Sequence, residues 1–107
     1  MTDSAQYIYD KKMAALKAGY LMHLKKTTEQ LLLLRASMIT EQDKREIIRI
    51  AHIISGSAGL FELNDLGELA GVAELEMEAM PIPDIKKSIA LNNLINFCND
   101  VTSNIDS

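Results

Sequence analysis

The 107-residue sequence has one cysteine, two prolines, five glycines and no tryptophan. A lone cysteine, Cys98, cannot build an internal disulfide framework. No uninterrupted apolar segment reaches the ~20 residues of a membrane span. The charged stretch Met1 to Asp10 also lacks the apolar run of a signal peptide. Together these absences set the expectation of a reducing, cytoplasmic setting with no membrane partner. Period-two apolar runs and Asn-Gly hairpin signals are missing throughout, which removes strands from the reading. A net charge of −4 and a pI near 5.1 provide no general basic face to neutralise phosphates, so nucleic acid is excluded as the expected partner.

Enzymatic signatures are equally sparse. The chain contains no Walker-type glycine loop, no dinucleotide fingerprint and no Gly-x-Ser-x-Gly elbow. Neither His23 nor His52 has a glutamate three residues before it, which excludes the paired Glu-x-x-His motifs of di-iron bundles, and no metal site is expected.

What remains is helical periodicity over nearly the whole chain. A hydrophobic share of 48% suffices for one modest core, and residues 1–107 are read as a single domain. Beginning at Met1 favours a freestanding protein. Residues 2–8 are expected to be a short helix or arm ahead of a first long helix ending near Ala36, on which Met13, Leu16, Tyr20, Leu24, Leu31 and Leu34 share a face. Met38-Ile39-Thr40 ends that first hairpin, and Thr40 with Asp43 has the pattern of a helix start. The second long helix is expected from about Glu41 to Phe61 or Glu62. A third should run from about Asp65 to Ala79, opened by an Asp65/Glu68 capping box. Met80-Pro81-Ile82-Pro83-Asp84 is a loop, and a last helix spans about Asp84 to Asn104. The short connections point to an all-α, antiparallel up-down-up-down four-helix bundle. No strict heptad seam is recognised and a monomer is expected, with Leu32 and Leu33 left over for any dimer face.

Charge is divided along the chain: residues 1–60 carry nine Lys/Arg against six Asp/Glu, whereas residues 61–107 carry two against nine. His52 belongs to the basic part. On its helix Ile47, Ile50, Ala51, Ile54, Ala58 and Phe61 form a core-facing band, and His52 points about 150° away from the band's centre. Gly56 at i+4 and Gly59 at i+7 share that outward sector, each costing ~1 kcal/mol relative to alanine inside a helix. An outward histidine beside two costly glycines implies access. The chemistry left to a single imidazole is nucleophilic: a ring nitrogen can attack activated phosphorus and hold the phosphoryl group as a labile phosphoramidate. Such a protein needs no catalytic machinery if its partner stabilises the transferring group. Arg49, Ser55, Gly56 and Gly59 surround that position, and Arg45, Ile48, Arg49 and Ile53 supply a docking surface suited to an anionic partner. Glu74, Glu76 and Glu78 alternate around the third helix and read as a solvated face, and Cys98 reads as a small core residue.

The run Ala51-His52-Ile53-Ile54-Ser55-Gly56-Ser57-Ala58-Gly59, followed by Leu66, Leu69, Ala70 and Leu75-Glu76, resembles the signature of histidine-containing phosphotransfer (HPt) domains. Their typical form is Ala-His-x-Leu-Lys-Gly-Ser-Ala/Ser, then a helix ending near Leu-Glu. The resemblance implies a four-helix bundle in which His52 is the phosphoacceptor, attacking through Nε2, Gly56 provides clearance, and Ser57 and Ala58 are small packing positions. It implies transient partners, a response-regulator receiver domain and/or a hybrid sensor kinase, and a carrier with no autonomous catalytic activity. No cofactor of its own is implied, Mg²⁺ coming from the receiver. It further implies that the imidazole is oriented through its other nitrogen by a polar side chain of the adjacent helix, with Glu74, Glu76 and Glu78 as candidates. Ser55 stands where the family often has lysine, and Arg49 is the nearest cation by helical spacing. The alternative reading is a degenerate bundle that binds a receiver or kinase without being phosphorylated.

Overall fold

The computed structural model describes residues 2–37 and 40–105, and every regular element in them is helical. Four α-helices follow one another, α1 (Thr2–Ala36), α2 (Glu41–Ser57), α3 (Asn64–Ala79) and α4 (Ile89–Thr102), with 3-10 turns at Ala58–Phe61 and Ile82–Lys87. The expected connection at Met38-Ile39 and the ends of the domain at Met1, Asp106 and Ser107 lie outside the described residues.

No separate N-terminal arm precedes α1. Residues 2–8 continue directly into the long helix, because no proline or glycine lies between Thr2 and Ala18 to break it. At 1.5 Å per residue, its 35 residues span about 52 Å. This accounts for a molecule 59 Å long but only 26 and 20 Å in its other dimensions. Leu24, Thr28 and Leu31 of α1 are buried, whereas Leu16, expected on the same face, is exposed where the rest of the bundle falls short of it.

Thr40 caps α2 as expected: its hydroxyl accepts from the Asp43 amide and the Asp43 carboxylate accepts from the Thr40 amide, both at 3.1 Å. Such a cap contributes ~1 kcal/mol. α2 stops at Ser57, earlier than its apolar periodicity suggested. The chain tightens into the Ala58–Phe61 turn, and Glu62 takes a left-handed conformation at φ 62° that ends it. α3 then starts at Asn64, one residue ahead of the expected Asp65, and Leu63 before it gives no side-chain cap. The proposed Asp65/Glu68 box is therefore not the start of this helix; Asp65 lies inside its first turn, where it meets the helix dipole.

The last helix also begins later than its sequence suggested. Ile82–Lys87 is a 3-10 turn, and Ser88 caps α4 by accepting from the Leu91 amide at 3.0 Å. This break explains why Ile85 and Ile89 fit no common stripe: Ile85 is fully buried beneath the turn and Ile89 is 72% exposed at the first position of α4. Glu76 is not part of a solvated face. Its Oε2 accepts from the Ser88 hydroxyl and the Ala90 amide, both at 3.1 Å, satisfying an orphan donor at the start of α4.

α2 packs chiefly on α3, α3 on α4 and α4 on α1, while α1 and α2 meet more sparsely. Contacts run in opposite order along neighbours. Lys25 of α1 donates to the Ile105 carbonyl just past α4 and Arg35 to Asn92 near its start; Tyr20 meets Ser57 of α2 and Gln30 meets Glu46. Ile47, Ile50, Ala51 and Ile54 of α2, Leu66, Ala70, Ala73 and Met77 of α3, and Leu91, Leu94 and Ile95 of α4 form the core. Among the described residues no helix is long and apolar enough to cross a membrane.

Cys98 sits in this core, as its stripe position implied. Burial pushes its thiol from an ordinary 9.0 up to about 11, with the Thr28 hydroxyl pulling weakly the other way. The native thiol therefore holds its proton after an unfolded one has lost it. The resulting stabilisation is fully present below pH 9.0 and is lost as the pH rises toward about 11. The loss is on the order of 2–3 kcal/mol. Urea midpoints between pH 8 and 11 should fall for the wild type, and a Cys98→Ala variant, whatever its offset, should lack this component of the slope.

Candidate functional site

His52 stands in the middle of α2 with its side chain 74% exposed. Its helix leaves it there because the opposite face is consumed by the core: Ile47, Ile50, Ala51, Ile54 and Ala58 are all buried. The outward orientation inferred from the helical wheel is the observed one. Nδ1 of His52 lies 2.9 Å from Oε2 of Glu74 on α3, whose side chain is 21% exposed. Of the three candidate glutamates, only Glu74 reaches the ring; Glu76 is turned to α4 and Glu78 is exposed.

This contact decides the chemistry of the ring. An ionised carboxylate can only accept hydrogen bonds, so Nδ1 must carry the proton. In the neutral imidazole the lone pair then resides on Nε2, the nitrogen turned away from Glu74. A ring held in this way through Nδ1, on an exposed side chain, has the arrangement that nucleophilic attack by Nε2 requires.

The surroundings are open on one side and close on the other. A Cβ added to Gly56 would meet nothing within 4 Å, so the position one turn beyond His52 is free space. His52, Ser55 and Gly56 of α2 share a broad shallow hollow with Glu68, Gly71, Val72, Glu74 and Leu75 of α3. At the floor of this hollow the helices lie near each other: a Cβ on Gly71 would come 3.4 Å from the Ser55 hydroxyl, and one on Gly67 would come 3.6 Å from the Ser55 carbonyl. The two glycines let the helices approach closely here, and that approach carries Glu74 to the imidazole.

Other expected members are placed differently. Gly59 does not line the hollow; because α2 ends at Ser57, helical extrapolation fails there, and a Cβ on Gly59 would face Asn64 at 3.7 Å instead. Arg49 is paired with Glu46 through its Nη2 and, at 3.1 Å, its Nε. That pairing lowers the Glu46 carboxyl and raises the Arg49 guanidinium, in each case mainly through the hydrogen bond. Arg45 is exposed, Ile48 is half-buried against the core, and Ile53 is exposed. Arg49 and Ile53 line a groove of about 250 Å³ between α1 and α2, with Tyr20, His23 and Ser57 among its other walls. The Ser57 hydroxyl donates to the Ile53 carbonyl at 2.8 Å, so the 2.8 Å bond to Tyr20 is donated by the phenol. Burial raises the Tyr20 hydroxyl above its ordinary value. Ser57 is therefore committed to packing.

Sequence reasoning missed Val72 and Leu75, although both fall outside the apolar stripe of α3 and Leu75 is 70% exposed. Unused apolar residues on a helix flank were the available signal.

The fold and site together define a helical domain that presents one oriented histidine on an open face. The Hpt domain family model matches residues 20–97, and the chain belongs to that family. Hpt domains act in phosphotransfer in two-component signalling and interact with receiver domains and kinases. No curated protein and no solved structure matches the chain.

Two variants test the geometry. Glu74→Ala should release the tautomer, so that ¹⁵N shifts of the His52 ring move toward a mixture of Nδ1-H and Nε2-H forms. Unfolding should change by no more than ~1 kcal/mol, since the His52 side of the pair is open to solvent. Gly56→Ala should keep the fold and raise stability by up to ~1 kcal/mol in thermal melts, because the methyl enters empty space on a helix.

Proposed function

We propose that this domain carries a phosphoryl group on Nε2 of His52 and exchanges it with the aspartate of receiver domains. The observation that carries this reading is the Nδ1 contact to Glu74 at 2.9 Å, which leaves Nε2 free on an exposed face. In the forward step the Nε2 lone pair attacks the phosphorus of a receiver aspartyl-phosphate, the P–O bond to the aspartate breaks, and the carboxylate leaves with the electron pair. The phosphorylated ring keeps its Nδ1 proton and becomes cationic, and the Glu74 carboxylate balances that charge. Donation to a second receiver reverses the atoms.

Stabilisation of the transferring phosphoryl belongs to the partner, whose Mg²⁺ supplies the Lewis acid. The domain is accordingly a carrier with no autonomous catalysis and no cofactor of its own, working in the cytoplasm. Its antiparallel up-down-up-down bundle, supported by the opposite running of the interhelical contacts, supplies rigidity. Gly56 leaves clearance for the phosphoryl and the partner's loops. Arg45, with Arg49 in its Glu46 pair, faces the acidic mouth of a receiver pocket, and Ile53 adds apolar contact with Ile48 beneath it. Ser55 takes the place of a cation near the phosphoryl and leaves charge compensation to the ring's carboxylate partner and the receiver.

Incubation with a panel of phosphorylated receivers tests the proposal. Acid-labile label should appear on the wild type and be absent from His52→Gln, while the variant still binds the receiver. If no receiver or kinase labels His52 although each labels a control carrier, the transfer reading is wrong. Signalling sustained by His52→Gln would instead identify a phosphorylation-independent binding module.

A further inference from the structure

The family match begins at residue 20, yet α1 begins at Thr2. The eighteen residues in between form about five turns of helix, roughly 27 Å, outside the shared domain. From Tyr20 to Gln30 one face of α1 is roofed by α2, which contributes Arg49, Ile50, Ile53 and Ser57 to the same groove. That roof ends where Phe61 stacks on Tyr20, with ring centroids 4.6 Å apart. Toward the N-terminus the same face carries Tyr9, Met13, Leu16 and Tyr20, spaced 4-3-4, the spacing of a two-helix seam. Tyr9 is 60% and Leu16 58% exposed, and Leu60 and Phe61 extend the apolar surface beside Met13.

An isolated helix of this length is marginal in water, and its aromatic and aliphatic seam gains nothing while uncovered. The charges beside the seam indicate what covers it. Asp10 and Lys17 lie one heptad apart on one flank, and Lys12 lies on the other. A parallel pair of such helices would set Lys12 of one copy against Lys17 of the other, a repulsive contact made twice. An antiparallel pair crossing near Met13 sets Asp10 of each copy against Lys17 of the other, an attraction made twice by two-fold symmetry. Asp10 already accepts from Gln6 at 2.8 Å, so its carboxylate is held on the flank.

We propose that the chain self-associates as an antiparallel two-fold dimer through residues 9–20 of α1, with Tyr9, Met13 and Leu16 in the seam and reciprocal Asp10–Lys17 pairs beside it. The short overlap makes the dimer weak and concentration-dependent. Both His52 residues stay outside the interface, since they lie on α2 facing α3, so this inference is independent of the phosphotransfer reading.

Sedimentation velocity of the full chain from about 5 to about 500 μM, the range in which a weak interface populates both states, tests it. The wild type should pass from monomer toward dimer. Leu16→Lys should stay monomeric with an unchanged circular dichroism spectrum. Asp10→Lys and Lys17→Asp alone should each weaken association roughly tenfold, and the double variant should restore it, because two contacts change sign and then change back. A wild type that remains monomeric throughout overturns the proposal. So does a double variant no better than the singles, which would mean that the helices are not paired antiparallel through these charges.

Discussion

The approach of α3 to α2 at Ser55 is the constraint on which the site depends. Gly67 and Gly71 face the Ser55 carbonyl and hydroxyl at distances where a methyl would just touch and a longer side chain would push the helices apart. Because the two helices meet there, Glu74, one turn further along α3, reaches the ring of His52 one turn back along α2. A separation larger by even an ångström would replace a hydrogen bond with a water-bridged contact, and the imidazole would lose its fixed tautomer. Packing at a position away from the imidazole thereby decides which ring nitrogen is bonded to Glu74 and which is left free.

α2 serves two demands at once. Its inner face is filled by branched aliphatics and alanine, which hold it against α3 and the core, and its outer face gives up side-chain bulk at Gly56. The helix tolerates that loss because its stability is supplied elsewhere, by the Thr40/Asp43 cap at one end and by burial along its length. Charge is divided similarly. Arg45 and Arg49 lie on the α2 side of the histidine, and Glu68 and Glu74 approach from α3, so an incoming partner meets opposite signs on the two flanks. The basic surface inferred from the first half of the chain is therefore only one side of the site.

Where the sequence reading departed from the structure, the cause was a helix end. Apolar periodicity continues through Ala58 and Phe61, so α2 looked longer than it is; the chain keeps the pattern while tightening into a 3-10 turn, and Gly59 leaves the His52 face as a result. Ile85 and Ile89 share no stripe for the matching reason, that Ser88 separates a turn from a helix between them. The role of Glu76 was hidden because its partners, Ser88 and Ala90, are twelve and fourteen residues away, across a proline-containing turn.

The sequence by itself determined the all-helical class, the cap at Thr40, the burial of Cys98 and the outward direction of His52. All of these follow from local periodicity, or from side chains bonding their own neighbours, and need no knowledge of how helices are arranged. Only the tertiary structure decided that Glu74 rather than Glu76 or Glu78 holds the ring, that Ser57 is occupied by Tyr20, and that the first half of α1 leaves Tyr9 and Leu16 exposed. Those outcomes depend on the relative offset of helices far apart in the chain, a quantity set by packing and invisible to spacing along any one of them.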